Sequence, residues 1–499
     1  MSVVIAIDAG TTGVRAFAVD SSGRPVARSY REFPQHFPQP GWVEHDPTEI
    51  LDATLGVLAE TVALVDEPVA AIGITDQRET VVAWNRRTGE VLHRALVWQD
   101  RRTADRCDEL AAQGALPRVR DLTGLVLDPY FSASKMEWLL RDGGVTVTAD
   151  LALGTIDSWL VWNLTGGEFV TEPSNASRTL LYDIRRGEWS DELCDLFSVP
   201  ASALADVRPS VGEFGRTTTG LPVPAGVPIS GIAGDQQASL FGQACLEPGM
   251  AKNTYGTGSF VLLNVGPECP DPTEGLLTTV AWEVPANVLG GTGTDTVTHY
   301  ALEGAIFSTG SAVQWLRDGL EIIDDAAECG PLAESVADTA GVFVVPAFTG
   351  LGSPYWDPRA RASVFGITRG ATKAHVARAV VESMALQTRD VVDAMAAAAD
   401  QPLRSLRVDG GASAMRLLLQ LQADQLGVTI ERSAIQETTA LGAAYLAGLG
   451  AGVWADANEM AATWTSDVTV EPGGDPEVIE ATYRQWAEAV RRSRDWARD

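Results

Sequence analysis

The stretch VVIAIDAGTTGVRAFAVD (residues 3–20) decides the fold. VVIAI (3–7) is an apolar run that reads as a buried strand. DAGTTG (8–13) is a Gly/Thr turn, and VRAFAVD (14–20) resumes as a strand before SSGRPV (21–26) turns again. A Walker loop or a dinucleotide fingerprint needs a glycine loop that opens a helix. Here the loop is the tip of a hairpin, so both are excluded. Successive N–H groups in such a tip form a concave nest for an anion. Thr11 and Thr12 add hydroxyl donors and Arg15 adds positive charge. Asp8, at the strand end, is placed to hold Mg2+ directly or through water, because Mg2+ combines a few carboxylates with phosphate oxygens.

The same device recurs at MAKNTYGTGSFVLLNVG (250–266): strand, Gly/Thr turn, strand. A third glycine turn, in LRVDGGASAM (406–415), follows a short strand and opens a helix through RLLLQLQADQLG. Two such hairpins imply an internal duplication. Helical patterns fill 132–142, 234–246, 299–318, 372–398 and 437–450. Strands mixed with helices in both halves give an α/β class with two similar lobes, 1–246 and 247–499. No low-complexity linker separates them, so the lobes are expected to pack closely. The two hairpins and DGGAS (409–413) together resemble a phosphate clamp and a nucleotide seat divided between the lobes.

A chain of 499 residues is too long for one core. No apolar run reaches the ~18–20 residues that span a bilayer, and MSVVIAIDAG lacks a basic n-region. The expected location is cytoplasmic, without membrane insertion. A formal net charge of −29 argues against nucleic acid or an anionic membrane as partner. The cations are nearly all arginine, with lysine only at Lys135, Lys252 and Lys373. Five scattered cysteines without C-x-x-C and five dispersed histidines provide neither a disulfide framework nor a metal cage.

TDQRET (75–80) follows the strand AAIGI. Its Arg78–Glu79 pair is either a surface ion pair or a donor and acceptor set for neighbouring hydroxyls of a polyol. VWQD (97–100) and DPYFSASK (128–135) bring Trp98 and Tyr130, which are core residues or an aromatic wall for a small half-apolar ligand. GIAGDQQASLFG (231–242) sets one charge, Asp235, in glycine and apolar company. Burying that charge is costly unless it is paired or used. Asp235 is expected to cap the following helix, and a general base taking a proton from an attacking hydroxyl is compatible with that position.

Over nearly its whole length the chain resembles the FGGY carbohydrate kinase family, and its glycerol kinases in particular. The matching stretches include TDQRET, VWQDRRT, GTIDSWLVWNLTGG (154–167), NASRTLLYDI (175–184), GIAGDQQASLFGQ, KNTYGTGSF, YALEGAIFSTGSAVQWLRDG (300–319), VPAFTGLGSPYWDPRARASVFGITRG (345–370) and ETTALGAAYLAGL (437–449). The resemblance implies two actin-like, ribonuclease-H-like domains with the active site in the cleft between them. It implies transfer of the γ-phosphoryl of Mg-ATP to a terminal hydroxyl of glycerol, giving sn-glycerol 3-phosphate and ADP. By matched position, Arg78, Glu79, Tyr130, Asp235 and Gln236 would bind glycerol, with Trp98 and Phe260 along its carbon backbone. Asp235 would be the base and, with Asp8, would sit near the magnesium. Thr11, Thr12, Gly13, Arg15, Thr257, Gly310, Gln314 and Gly411 would contact the nucleotide.

The chain departs from the family at Met415, where an asparagine often contacts the nucleotide; methionine packs against a base but makes no amide hydrogen bond. RTTTGLPVPAGVP (216–228) has no arginine after Arg216, and no histidine lies between His93 and His299. Inhibition by fructose 1,6-bisphosphate and activation by a sugar-transport phosphocarrier are therefore both expected to be absent. A homodimer or homotetramer is the family's usual state. The alternatives are a kinase for another polyol or sugar, such as erythritol, xylulose or gluconate, and an actin-like ATPase with no small-molecule acceptor.

Overall fold

The computed structural model describes residues 2–293 and 295–497. Two sheets organise it. The first contains β1 (Val3–Ala9), β2 (Gly13–Val19), β3 (Pro25–Glu32), β4 (Val69–Asp76), β5 (Val211–Arg216) and β6 (Pro228–Gly234), in the order β5-β6-β4-β1-β2-β3. The second contains β7 (Met250–Tyr255), β8 (Ser259–Gly266), β9 (Leu277–Pro285), β10 (Thr296–Ile306), β11 (Ser405–Asp409), β12 (Ile430–Ser433) and β13 (Ser466–Val470), in the order β9-β10-β8-β7-β11-β12-β13. In each sheet an antiparallel trio (β3-β2-β1; β10-β8-β7) continues into two parallel strands (β4-β6; β11-β12). The duplication legible in the hairpins thus extends to these five strands of each sheet.

The hairpins form where the Gly/Thr turns place them. Asp8 pairs with Arg15 across β1–β2, and the Gly10 N–H closes the tip onto the Gly13 carbonyl at 3.0 Å. Tyr255 pairs with Ser259 across β7–β8, with the Gly256 N–H on the Gly258 carbonyl at 2.8 Å.

Four helices matter for the site: α1 (Asp235–Gly242), α2 (Gly310–Gln314), α3 (Arg416–Leu426) and α4 (Thr438–Gly450). The helices expected at 132–142, 372–398 and 437–450 appear as Ser132–Arg141, Lys373–Ala399 and α4. α4 comes from the end of the chain yet packs on β4, β6 and β1 of the first sheet and on α1. One buried cluster joins Val4, Phe17 and Ala233 of the first sheet to Leu262, Trp282 and Ala301 of the second through Tyr445 and Leu446 of α4. The lobes share a core, which explains the missing linker.

Two expectations are corrected. Residues 299–318 are not one helix: β10 runs to Ile306, and helix begins only at Gly310, followed by a π-helical turn over Trp315–Gly319. His299–Ile306 are eight consecutive buried residues. A run buried on both faces carries no period by which to separate strand from helix. α1 is also shorter than 234–246, because Ala244 takes φ +48° two residues past its end. Among the described residues no helix is long and apolar enough to cross a membrane.

Candidate active site

Parallel register sets Ala9, Asp76 and Gly234 side by side at one edge of the first sheet. The residues that follow them, the first hairpin tip, Arg78 and Asp235, therefore leave the sheet together.

Arg78 is only 2% exposed. Its Nη1 donates to Glu303 Oε2 at 2.6 Å and to Gln237 Oε1 at 3.2 Å. Its Nη2 donates to Glu303 Oε1 and to Tyr130 Oη, both at 3.3 Å. Arg178 donates from Nε to Glu79 Oε1 and from Nη2 to Glu303 Oε1, both at 2.9 Å. Glu79 closes the circuit 3.6 Å from Arg78 Nε. Charges alternate around this buried ring, which is the condition under which buried ions are tolerated. Burial works to raise the Glu303 carboxyl, but Arg178 and Arg78 outweigh it and hold it at about 2. Glu303 lies on β10, so the ring ties the two lobes together. Burial and the Glu79 charge push the Tyr130 phenol above its ordinary range, so it remains neutral. Its oxygen accepts from Arg78, which leaves its own proton to donate.

Asp235 is not the helix cap. Gly234 holds the N-cap position and Asp235 is the first helical residue, so that expectation shifts by one. Gly234 is extended, with φ −60° and ψ 154°, and glycine is needed there because a Cβ would lie 2.4 Å from Arg78 Cγ, which passes beneath the helix end. Asp235 Oδ1 accepts the Gln236 N–H at 2.8 Å and lies 3.1 Å from Arg78 Nε. Oδ2 forms no hydrogen bond among the described residues. The side chain is 32% exposed, open on one side and enclosed by protein on the others. That enclosure raises the carboxyl above the ordinary aspartate value; Arg78 opposes the shift, Glu79 adds to it and Lys252 opposes it.

Two lysines complete the surroundings. Lys135 Nζ, fully buried, donates to the carbonyls of Pro129, Tyr130 and Phe131 at 2.8, 2.9 and 2.8 Å, fixing the loop that carries Tyr130. Lys252, also fully buried, donates to Gln236 Oε1 at 2.5 Å and Thr254 Oγ1 at 3.1 Å. Trp98 meets Tyr130 edge to face at 5.5 Å and donates from Nε1 to Thr11 Oγ1 at 2.9 Å, linking the aromatic wall to the first hairpin tip. Phe260 joins no aromatic pair among the described residues; it sits on β8 opposite Thr254 and Ala305 of the second sheet.

The remaining loops gather at the second hairpin. The N–H groups of Thr309 and Ser311 both reach the Thr257 carbonyl, at 2.9 and 3.0 Å, and the Gly310 N–H reaches the Gly256 carbonyl at 3.0 Å. Gly310 is required there, since a Cβ would stand 2.6 Å from the Gly256 oxygen. Gln314 ends α2 on the exposed side. The DGG turn sits on the end of β7, with Gly411 open around its Cα. Met415 precedes α3 and packs on Gly330 of the Cys329–Glu334 helix. On the first hairpin, Thr12 is exposed, Gly13 is covered by Tyr30, and Arg15 pairs with Asp8 at 3.2 Å.

The donor set suits Mg2+. Burial pushes Asp8 up to about 6; Arg15 draws it down and the charge of Asp235 raises it. These two carboxylates therefore repel each other, and a dication relieves such repulsion. Among the described residues no three His, Cys, Asp or Glu side chains gather into a metal cage. Two carboxylates with the other positions left to phosphate and water are the arrangement Mg2+ accepts.

A Gly/Thr hairpin in each sheet and a buried ring of paired charges between them, on a duplicated α/β fold, suit a small-molecule kinase. The FGGY family of carbohydrate kinases matches this chain with its N-terminal domain over residues 3–242 and its C-terminal domain over residues 251–451. The chain belongs to that family. It is 52% identical to a glycerol kinase from Carboxydothermus hydrogenoformans, over 99% of this chain and 98% of the relative. It is 49% identical to glycerol kinase 2 from Thermotoga maritima, over 99% of each. The crystal structure of Plasmodium falciparum glycerol kinase with ADP superposes with a TM-score of 0.92 at 34% identity, covering 99% of this chain and 98% of that one.

Reading the sequence did not assign Arg178, Glu303, Gln237 or Lys252. All four lie in quoted stretches, but 125 residues separate Arg178 from Glu303, and nothing local pairs them. For Lys252 a signal existed: lysine is rare in this chain.

Proposed function

We propose that the chain transfers the γ-phosphoryl of ATP to a terminal hydroxyl of glycerol, forming sn-glycerol 3-phosphate and ADP. One observation carries this reading: Arg78 holds Tyr130 Oη at 3.3 Å and Asp235 Oδ1 at 3.1 Å, which leaves the phenol proton of Tyr130 and Oδ2 of Asp235 without a partner among the described residues. A donor and an acceptor thus stand together beside the Trp98 face. That set matches neighbouring hydroxyls on a short carbon chain.

In this reading Arg78, Glu79, Tyr130 and Gln236 bind the hydroxyls, with Trp98 and Phe260 along the carbons. The terminal hydroxyl oxygen attacks the γ-phosphorus, its proton passes to Asp235 Oδ2, and the bond to the bridging oxygen breaks to release ADP. The hairpin tips (Thr11, Thr12, Gly13 and Thr257), together with Arg15, Gly310, Gln314, Gly411 and Met415, hold the nucleotide. Asp8 and Asp235 are the residues that would hold Mg2+, which when bound supplies charge neutralisation for the phosphates. Alignment and exclusion of water fall to the two lobes, 1–246 and 247–499, closing on the substrates. A homodimer or homotetramer belongs to the same proposal and is read by light scattering.

The test is ADP release with and without glycerol, with erythritol, xylulose and gluconate as competing acceptors and the product identified by phosphorus NMR. Glycerol-dependent turnover giving a phosphate monoester is expected. Turnover indifferent to glycerol, or faster with another acceptor, overturns the reading.

A further inference from the structure

Of 37 lysine and arginine side chains only three are lysine, and two of those, Lys135 and Lys252, have no exposed surface. A compact ammonium fits where a planar guanidinium does not. Lys135 is accounted for by its three carbonyls. Lys252 has no structural task of comparable clarity: it points from β7 of the second sheet at Gln236 in the first turn of α1.

An ammonium donates and never accepts. Its partner on Gln236 must therefore be the amide oxygen, which turns the amide NH2 away from Lys252. That Nε2 makes no hydrogen bond among the described residues and is not buried, so it is free on the cleft side. Burial pulls Lys252 down to about 8 against the opposing charges of Asp409, Asp235 and Glu303, so the proton that fixes this orientation is present at neutral pH. Thr254 Oγ1 receives a second N–H and holds the ammonium in place.

We propose that Lys252 is a positioning residue that locks the Gln236 amide so that its NH2, not its carbonyl, faces the polyol. The inference rests on Gln236 being a polyol ligand. It makes one donor of the acceptor pocket depend on a side chain from the opposite lobe, as Glu303 does for Arg78.

The test is a double-mutant cycle of Lys252→Met and Gln236→Leu in the full chain, read as KM for glycerol, KM for ATP and kcat. Each single variant should raise the glycerol KM by roughly 2- to 12-fold, the cost of one lost neutral hydrogen bond. The ATP KM should stay unchanged. The double variant should be no worse than the more damaged single one, because both remove the same donor. A Lys252→Met variant that lowers kcat at constant glycerol KM, or effects that multiply in the double variant, overturn the proposal while leaving Gln236 as a ligand. A glycerol KM unmoved by Gln236→Leu overturns both. Gln236→Glu keeps a partner for Lys252 but removes the NH2, so it needs no folded Lys252 variant. It should match Gln236→Leu, and a wild-type glycerol KM in it also overturns the proposal.

Discussion

Asp235 shows how far a single residue could be read from the chain. A charge in apolar surroundings singled it out; its place beside Arg78, 157 positions away, could not be read, because the contact that requires glycine at 234 is not local. The structure supplies the finer point that Oδ1 is anchored and Oδ2 is free. Asp235→Asn preserves the anchor and removes the base. It should keep the wild-type thermal unfolding midpoint and lose about 10²–10⁴-fold in kcat. Near-wild-type turnover removes the role. Glu303 was invisible beforehand, because a glutamate in an apolar strand declares itself only through partners that sequence does not pair. Its folded value, about 2, lies below the unfolded 4.5. Its protonation-linked contribution is therefore complete above pH 4.5 and fades as pH falls toward 2. A shift of that size corresponds to about 3 kcal/mol. Urea unfolding of wild type and Glu303→Gln should differ by a constant margin above pH 4.5, and the margin should shrink below it. A margin indifferent to pH would show that the ring does not hold Glu303 ionised in the folded state.

At the scale of elements, the hairpins and the long helices were legible because turn chemistry and helical periodicity are local. β10 was not, since a strand covered on both faces has lost its alternation. The crossing of α1 and α4 was equally hidden: it depends on glycines 200 residues apart, Gly242 and Gly442. A Cβ on Gly442 would lie 1.8 Å from the Ala238 carbonyl oxygen, and one on Gly242 would lie 2.0 Å from that of Thr438. Backbone cannot yield as a side-chain tip does. Gly442→Ala should therefore destabilise by at least about 1–3 kcal/mol, the usual range for overpacking. Because α1 begins at Asp235, the same change should lower kcat as well. Gly473→Ala is the matched control: a Cβ there meets nothing within 4 Å, and its effect should stay within about 0.5 kcal/mol. Urea unfolding compares the two, and equal midpoints would mean the helices separate without cost.

For the whole molecule, the proposed acceptor and nucleotide residues are each drawn from both halves of the chain, and the ion pair that joins the halves, Arg78–Glu303, is buried from solvent. Salt therefore reaches the surface field more than the ring. The chain carries a formal net charge of −29, and of the two proposed substrates only ATP is an anion. A field of one sign retards a ligand of that sign until ions screen it. Between about 0.01 M and about 0.15 M salt the Debye length contracts from about 30 Å to about 8 Å. Across that range kcat/KM for ATP should rise several-fold, whereas kcat/KM for neutral glycerol, at saturating ATP, should stay level. Glycerol is the internal control: a parallel change in both would point to the fold rather than the field. A fall in kcat/KM for ATP with added salt would mean that local cations such as Arg15 at the first hairpin dominate the approach, so that the acidic surface has no part in setting the rate of nucleotide capture.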